Sequence, residues 1–411
     1  MGEIMIRTVA VIGGGAAGMM AAVQAARAGA RVTIYERNDR IGKKILSTGN
    51  GKCNFSNEKM DISCYHGSGR DLIPVLYETF GVAETKRFFE DLGMRIKEVN
   101  GYLYPASGQA STVLDLFRYE LERLSVQIHT GQQVTAIRPS NNGIMVKTMQ
   151  HEKYYGAAIL TCGGQAAPGT GSDGAGFKLA GQLGHRILPV VPALTALRCE
   201  GTYYKQVAGV RCDAKITLYA AGDKICEERG ELQLTDYGIS GIPVFQISRH
   251  AAYALREQKH TTVKISFLPD DDEDACEKFW QERWERKAEQ TMEVFLTGVV
   301  NKKINQLLLS LAGIRGSEKA GEVTGKMRQK LQSLYRSWEV TVTATNPFTQ
   351  AQVSAGGVDC AHVAYNLASR IVPGVYFAGE ILDVDGICGG YNLQWAFSSG
   401  TIAGRAAACE M

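Results

Sequence analysis

The strongest chemical signal in the chain is Gly13-Gly14-Gly15-Ala16-Ala17-Gly18, a G-x-G-x-x-G turn between the apolar run Thr8–Ile12 and an alanine-rich stretch. Gly13 permits the tight turn out of a strand, Gly15 lets a pyrophosphate approach the backbone, and Gly18 lets helix and strand pack closely. The helix opening at Ala16 and Ala17 offers unpaired N–H groups and a positive dipole end to phosphate oxygens. A second strand, Arg31–Tyr35, ends in Glu36, about 20 residues beyond the glycines. A carboxylate there accepts hydrogen bonds from ribose hydroxyls and disfavours a 2′-phosphate. The pattern specifies an adenine dinucleotide and leaves FAD and NAD open.

Two further signals carry less. Gly169-Thr170-Gly171-Ser172-Asp173-Gly174 is a second literal G-x-G-x-x-G, but Pro168 separates it from the preceding strand. No acid ends a neighbouring strand at the right distance, so it reads as a packing loop and not as a nicotinamide site. Cys53, in Gly51-Lys52-Cys53-Asn54, has no second cysteine within a turn, whereas flavin disulfide reductases use a spaced pair. Cys53 therefore reads as packing. The ten cysteines include no CxxC pair and the seven histidines no H-x-x-x-H, so no metal site is expected.

These residues must be positioned by a sizeable scaffold. A chain of 411 residues exceeds one typical domain. Its 45% hydrophobic and 21% charged residues exclude intrinsic disorder. The balance of 45 Lys+Arg against 42 Asp+Glu lacks the basic stripe that nucleic acid requires. No run of about 20 apolar residues suggests a membrane span. The N-terminal apolar run reads as strand, turn and helix, not as a secretion signal. Unpaired thiols fit a cytoplasmic setting.

Up to about Pro189, strands alternate with helices, the mark of α/β architecture. Expected strands are Thr8–Ile12, Arg31–Glu36, Val126–His129, Gly143–Lys147 and Ala157–Thr161; expected helices are Ala16–Ala28, Val82–Leu92, Thr112–Leu124 and Gly174–Leu183. From about Val190 to Thr341 the texture changes to short alternating segments (Lys215–Tyr219, Glu231–Leu234, Val263–Ser266), then to the charged stretch Asp270–Trp338 with helical periodicity. This region reads as an insert. Beyond Pro347 glycine turns return, with Gly374–Ala378 as strand and Asn392–Ala408 as helix.

The segment Gly42–Asn54, the triplet Cys162-Gly163-Gly164 and the run Gly374–Trp395, taken with the glycine turn, closely resemble the flavoprotein family of the YhiN proteins, the aminoacetone oxidases and the BaiN bile-acid reductases. The resemblance covers both ends of the chain and Gly238–Gly241 in its middle. It implies a Rossmann-like FAD domain of the glutathione-reductase kind at 1–189 and 342–411. A β-barrel inserted at 190–268 and 337–341, and a helical subdomain at 269–336, complete the expected organisation. By the same resemblance Gly49, Asn50, Gly51, Cys53 and Asn54 lie along the flavin, and Val134 lies near the adenine. Gly379, Glu380 and Asp383 fall beside the ribityl and pyrophosphate, with Arg37, Lys44, Cys162 and Gly163 completing the bed. Gly390, Tyr391, Asn392 and Leu393 open the last helix, whose N–H groups and dipole can stabilise negative charge at the N1/O2 edge of reduced flavin.

The resemblance implies an FAD-dependent oxidoreductase acting on a small molecule, with NAD(P)H docking transiently as electron donor. Reduction of conjugated C=C bonds in 3-oxo steroid or bile-acid compounds is the leading expectation. Oxidation of small amines such as aminoacetone, with peroxide release, is the runner-up. A flavin-carrying RNA-binding or RNA-modifying protein is the reading from another class. Tyr391 and Tyr102 are the candidate catalytic residues, and the wall facing the substrate is expected from the insert and from Gly101–Pro105. Three positions depart from the family pattern: Lys52 stands where Arg is frequent, Asp236 where His is expected, and Ile242 where Pro is usual.

Overall fold

A computed structural model describes residues 6–141, 143–270 and 272–409. The chain forms two compact units, one built from residues up to Val191 together with Phe348 onward, the other from Pro192–Pro347. In the first unit, five parallel strands lie in the order Val375–Phe377, Ala157–Leu160, Thr8–Ile12, Arg31–Tyr35, Gln127–His129. Val9, Ala10 and Val11 have no exposed surface, because helices or a second sheet cover both faces, as continuous apolar strands require. The C-terminal strand joins this sheet through Ala158↔Val375 and Leu160↔Phe377, so the two ends of the chain share one layer.

The glycine helix, Ala16–Arg27, presents Ala21, Ala22 and Ala25 to the interior, all fully buried. The last helix, Tyr391–Cys409, lies against it. Small residues set that distance: a Cβ at Gly400 would stand 2.6 Å from the Ala17 carbonyl oxygen, and one at Gly404 would collide with the Ala21 carbonyl oxygen. Beyond the parallel sheet, Val134–Ser140, Gly143–Thr148 and Glu152–Tyr155 make an antiparallel meander. Ser56–Asn57, Tyr102–Pro105 and Ile96–Val99 make a smaller antiparallel sheet.

The second unit contains a closed barrel of six strands: Leu197–Cys199, Gly238–Gly241, Asp223–Leu234, Arg211–Ala220, Thr261–Ser266 and Trp338–Thr345. Ile216, Leu218, Leu232, Val263 and Ile265 fill its interior. The stretch expected to be helical supplies Glu273–Arg286, Met292–Phe295, Lys302–Ala312 and Gly325–Ser337. Their Trp280, Phe295, Leu308 and Tyr335 belong to the same hydrophobic core as the barrel side chains. The Tyr335 hydroxyl donates to Asn305 Oδ1 at 2.6 Å, satisfying a buried phenol.

Replacing Gly400 with Val is expected to cost about 1–3 kcal/mol of unfolding free energy, as overpacking does. A lower urea midpoint at unchanged slope is the measurement. An unchanged midpoint would show that the two helices do not depend on their close approach.

Candidate functional site

The adenosine end is built around Glu36. Gly13 sits at φ +109°, and a Cβ there would lie 2.7 Å from the Thr161 carbonyl oxygen, so only glycine makes this turn. The Gly14 N–H donates to Glu36 Oε2 at 2.9 Å, while the Asn38 backbone N–H and side-chain amide both donate to Oε1 at 2.8 Å. These three donors fix the position of the carboxylate before any ribose arrives. The Gln132 N–H donates to the Glu36 carbonyl at 2.9 Å, which brings the start of the meander and buried Val134 to the same place.

The second glycine loop forms part of this wall. Asn38 donates its amide to the Thr170 carbonyl at 3.0 Å, and Arg37 forms an ion pair with Asp173. A Cβ at Gly171 would collide with the Asn38 amide nitrogen. Its glycines are thus used in packing against the end of the second strand.

In the middle of the site, Lys44 Nζ reaches Glu380 Oε2 at 2.7 Å, and the Ser354 N–H donates to Glu380 Oε1 at 2.8 Å. Gly379 is held by its N–H to Ser399 Oγ at 2.9 Å and by the Trp395 indole N–H to its carbonyl at 3.1 Å. A Cβ on Gly379 would stand 2.7 Å from Ala17 Cβ, at the start of the glycine helix. Gly163 adopts φ +71°, and Cys162 donates its thiol to the Ile12 carbonyl at 3.2 Å. Buried Asp383 accepts from the Ser68 N–H at 2.6 Å, so one carboxylate oxygen is committed to the Gly67–Ser68 segment.

The stretch after Lys44 is unusual in its backbone. Gly49, Asn50 and Cys53 have φ of 55°, 53° and 57°. Left-handed conformations at non-glycine residues are retained where surrounding structure enforces them, often at functional sites. Cys53 has no exposed surface, and burial pushes its thiol up to about 11. A thiol in that state is not a redox nucleophile at neutral pH.

At the third place, the start of the last helix is clamped to Ser56–Asn57. Asn57 donates its amide to the Gly389 carbonyl at 3.0 Å, and Ser56 Oγ donates to Gln394 Oε1 at 2.6 Å. Gln394 passes its own amide to Thr85 Oγ1 at 2.8 Å and Ser398 Oγ at 2.9 Å. Asn392 spends both ends of its side chain on Gly386, accepting and donating at 2.8 Å. These two bonds fix its side chain against Gly386. Tyr391 donates its hydroxyl to the Lys59 carbonyl at 2.9 Å, its own carbonyl accepts from Tyr65 at 3.0 Å, and burial raises its phenol above the usual range. Gly389 is wedged between two rings, with an ideal Cβ 2.9 Å from Tyr102 Cε1 and 3.0 Å from Tyr391 Cε2.

Sequence reasoning singled out Tyr102 and Tyr391, which the structure brings together. It missed Ser56, Asn57, Tyr65 and Gln394. Ser56–Asn57 is a two-residue strand with no periodicity to read, and Gln394 reaches Ser56 and Thr85, partners far away in sequence. Among the described residues no group of three or more His, Cys, Asp or Glu could hold a metal ion. No helix among them is long and apolar enough to cross a membrane.

A dinucleotide fits these residues. A Cβ at Gly15 would meet nothing within 4 Å, so this glycine opens on free space at the N-terminus of its helix. That helix has no side-chain cap and no acid in its first turn. Open backbone, free N–H donors and a preset ribose acceptor suit the pyrophosphate and adenosine of FAD.

Fold and site together define an FAD-dependent oxidoreductase of the Rossmann type. The chain belongs to the HI0933-like Rossmann-domain family, whose model matches residues 7–406. It is 44% identical over 403 residues to the 3-dehydro-bile acid delta(4,6)-reductase of Clostridium scindens, covering 97% of this chain and 98% of that protein. It is 29% identical to the ribosomal RNA dihydrouridine synthase of Escherichia coli, covering 95% of each. In fold it matches a 3-ketosteroid-delta4-(5alpha)-dehydrogenase from Rhodococcus jostii in complex with 4-androstene-3,17-dione, at a TM-score of 0.52 and 15% identity, covering 99% of both chains.

Gly15→Val is expected to weaken FAD binding by roughly tenfold or more, about 1.4 kcal/mol, with little change in the unfolding of the apoprotein. Flavin fluorescence titration and urea denaturation read the two effects separately. Cys53 is expected to resist iodoacetamide at pH 8 in the folded protein, and Cys53→Ala to leave the flavin reducible. Rapid labelling of Cys53, found by peptide mapping, would contradict its burial.

Proposed function

We propose that this protein reduces carbon–carbon double bonds conjugated to a ketone in 3-oxo bile-acid or steroid-like substrates, with NAD(P)H as electron source. The observation that carries the reading is the end-to-end 44% identity to a bile-acid reductase. The site's chemistry supports it. Cys53 is buried and has no neighbouring thiol to pair with, so electrons have no disulfide to pass through and a substrate must meet the flavin directly.

Bound FAD supplies hydride transfer. The chain's part is to hold the dinucleotide along Gly13–Gly18, Glu36, Lys44–Asn54 and Gly379–Asp383, and to place backbone N–H groups of Asn392 and Leu393 at one edge of the ring. It must also supply a proton and a donor to the substrate carbonyl. Tyr102 and Tyr391 flank Gly389, just before the start of the last helix, and are the candidates for those roles. The second glycine loop is committed to the wall around Glu36, which favours transient docking of a nicotinamide over a second permanent dinucleotide site. Free cysteines throughout the described residues suit a cytoplasmic setting.

A second reading is supported by the dihydrouridine synthase relatives, 29% and 28% identical. The uracil C=C bond is also conjugated to a carbonyl, so the same chemistry on an RNA base would need a nucleic-acid surface added to the same site. The net charge of +3 weighs against it.

Anaerobic NAD(P)H is expected to bleach the visible absorption of the holoprotein, and a 3-oxo-4,6-diene bile acid to restore it. Reoxidation by uracil-containing RNA and not by the dienone would favour the second reading. Bleaching by aminoacetone, with peroxide formed on admitting air, would replace both with an amine oxidase.

A further inference from the structure

Tyr102 and Tyr391 flank the same glycine yet have different freedom. Tyr391 is 6% exposed, and its hydroxyl proton is committed to the Lys59 carbonyl at 2.9 Å. The Cys64 thiol lies beside the same phenol, and Tyr65 fixes the Tyr391 backbone carbonyl. Tyr391 has no proton to spare without breaking this partly buried hydrogen bond. Tyr102 is half-buried, and its hydroxyl donates to no group among the described residues.

The backbone around Tyr102 is held firmly. Its strand pairs with Ser56–Asn57, in the register Asn57↔Tyr102, and with Val99 on the other side. Asn57 is held at both ends: its Oδ1 accepts from the Lys59 N–H at 2.9 Å and its amide donates to the Gly389 carbonyl at 3.0 Å. Gly389 at φ +127° leaves room for the Tyr102 ring to lie against the turn that opens the last helix. A ring on a held backbone, with an uncommitted O–H beside the turn that opens the last helix, is what general-acid work requires.

We infer that Tyr102 is the proton donor of the reduction, while Tyr391 and Asn57 are positioning residues that hold Gly389 and the Tyr102 ring. The inference rests on the conjugated-ketone reading above. Bound FAD, once reduced, would supply the hydride with both electrons, forming a C–H bond at the β carbon. The C=C π pair shifts to form an enolate. The Tyr102 O–H then breaks as its proton forms the C–H bond at the α carbon, and the phenolate regains a proton from water. The product is the saturated ketone, and a nicotinamide donor restores the reduced flavin.

Stopped-flow measurements on the holoprotein separate flavin reduction by NAD(P)H from its reoxidation by a 3-oxo-4-ene steroid. In Tyr102→Phe the ratio of reoxidation to reduction rates is expected to fall about 100-fold or more. The solvent deuterium isotope effect on wild-type reoxidation should be absent from the residual rate. FAD content and flavin spectrum report that the variant is folded and loaded. Tyr391→Phe, which loses a positioning contact, should shift the flavin spectrum or FAD affinity and retain the solvent isotope effect. Reoxidation of Tyr102→Phe at the wild-type ratio with its isotope effect intact would overturn the assignment alone. A wild-type flavin that no conjugated enone reoxidises would overturn the functional reading, and the assignment with it.

Discussion

The close contact between the glycine helix and the last helix is the constraint on which the rest of the first unit depends. Gly400 and Gly404 let the last helix lie against the carbonyl oxygens of Ala17 and Ala21. Gly379 meets Ala17 by the same economy of side-chain volume. This contact joins segments nearly four hundred residues apart in sequence and delivers the N-terminus of the last helix to the same side of the sheet as the glycine turn. Interiors are close-packed, so a displacement of this helix cannot be absorbed locally. It would be felt at Gly389, Gly390 and Tyr391, where the helix begins.

The polar groups of the site are largely satisfied by one another before a cofactor binds. Glu36 is held by Gly14 and Asn38, Glu380 by Lys44 and Ser354, Asn392 by Gly386, and Gln394 by Ser56, Thr85 and Ser398. Such a network fixes positions at low reorganisation cost, which is how a protein tunes a cofactor whose chemistry is intrinsic. It also divides labour among residues of similar type. Asn392 and Tyr391 support the backbone, whereas Tyr102 and the helix N–H groups are left available.

The Rossmann strands, the glycine helix and the acid at Glu36 were legible in the sequence because each rests on local, periodic chemistry: an apolar run, a glycine turn, an acid at a strand end. The expected strand Ala157–Thr161 is observed as Ala157–Leu160, and the expected helix Asn392–Ala408 as Tyr391–Cys409. The helix Ile242–Arg256 was not anticipated, because Gly241 at φ +104° and Pro243 start it abruptly after a short strand. The barrel strand Asp223–Leu234 was seen only in its last residues, since its first half alternates charged side chains without a buried apolar face. The clamp of Ser56 and Asn57 was invisible for a different reason. Its partners, Gln394 and Gly389, are set by tertiary contact, and no local pattern encodes a pairing across more than three hundred residues.

The thiols give the site a further chemical logic. Burial raises Cys53 to about 11 and Cys162 to about 12, so that at pH 7 roughly one in ten thousand or fewer of each is thiolate. Thiolates are nucleophiles, and a C=C bond conjugated to a ketone is an acceptor for them. A site that reduces such bonds by hydride must keep its own sulfur atoms from adding to the same β carbon. Cys53 at zero exposure on a left-handed backbone, and Cys162 with its thiol tied to the Ile12 carbonyl, are both kept protonated. The same protonation that removes these two cysteines as redox partners also removes them as nucleophiles toward an electron-poor double bond.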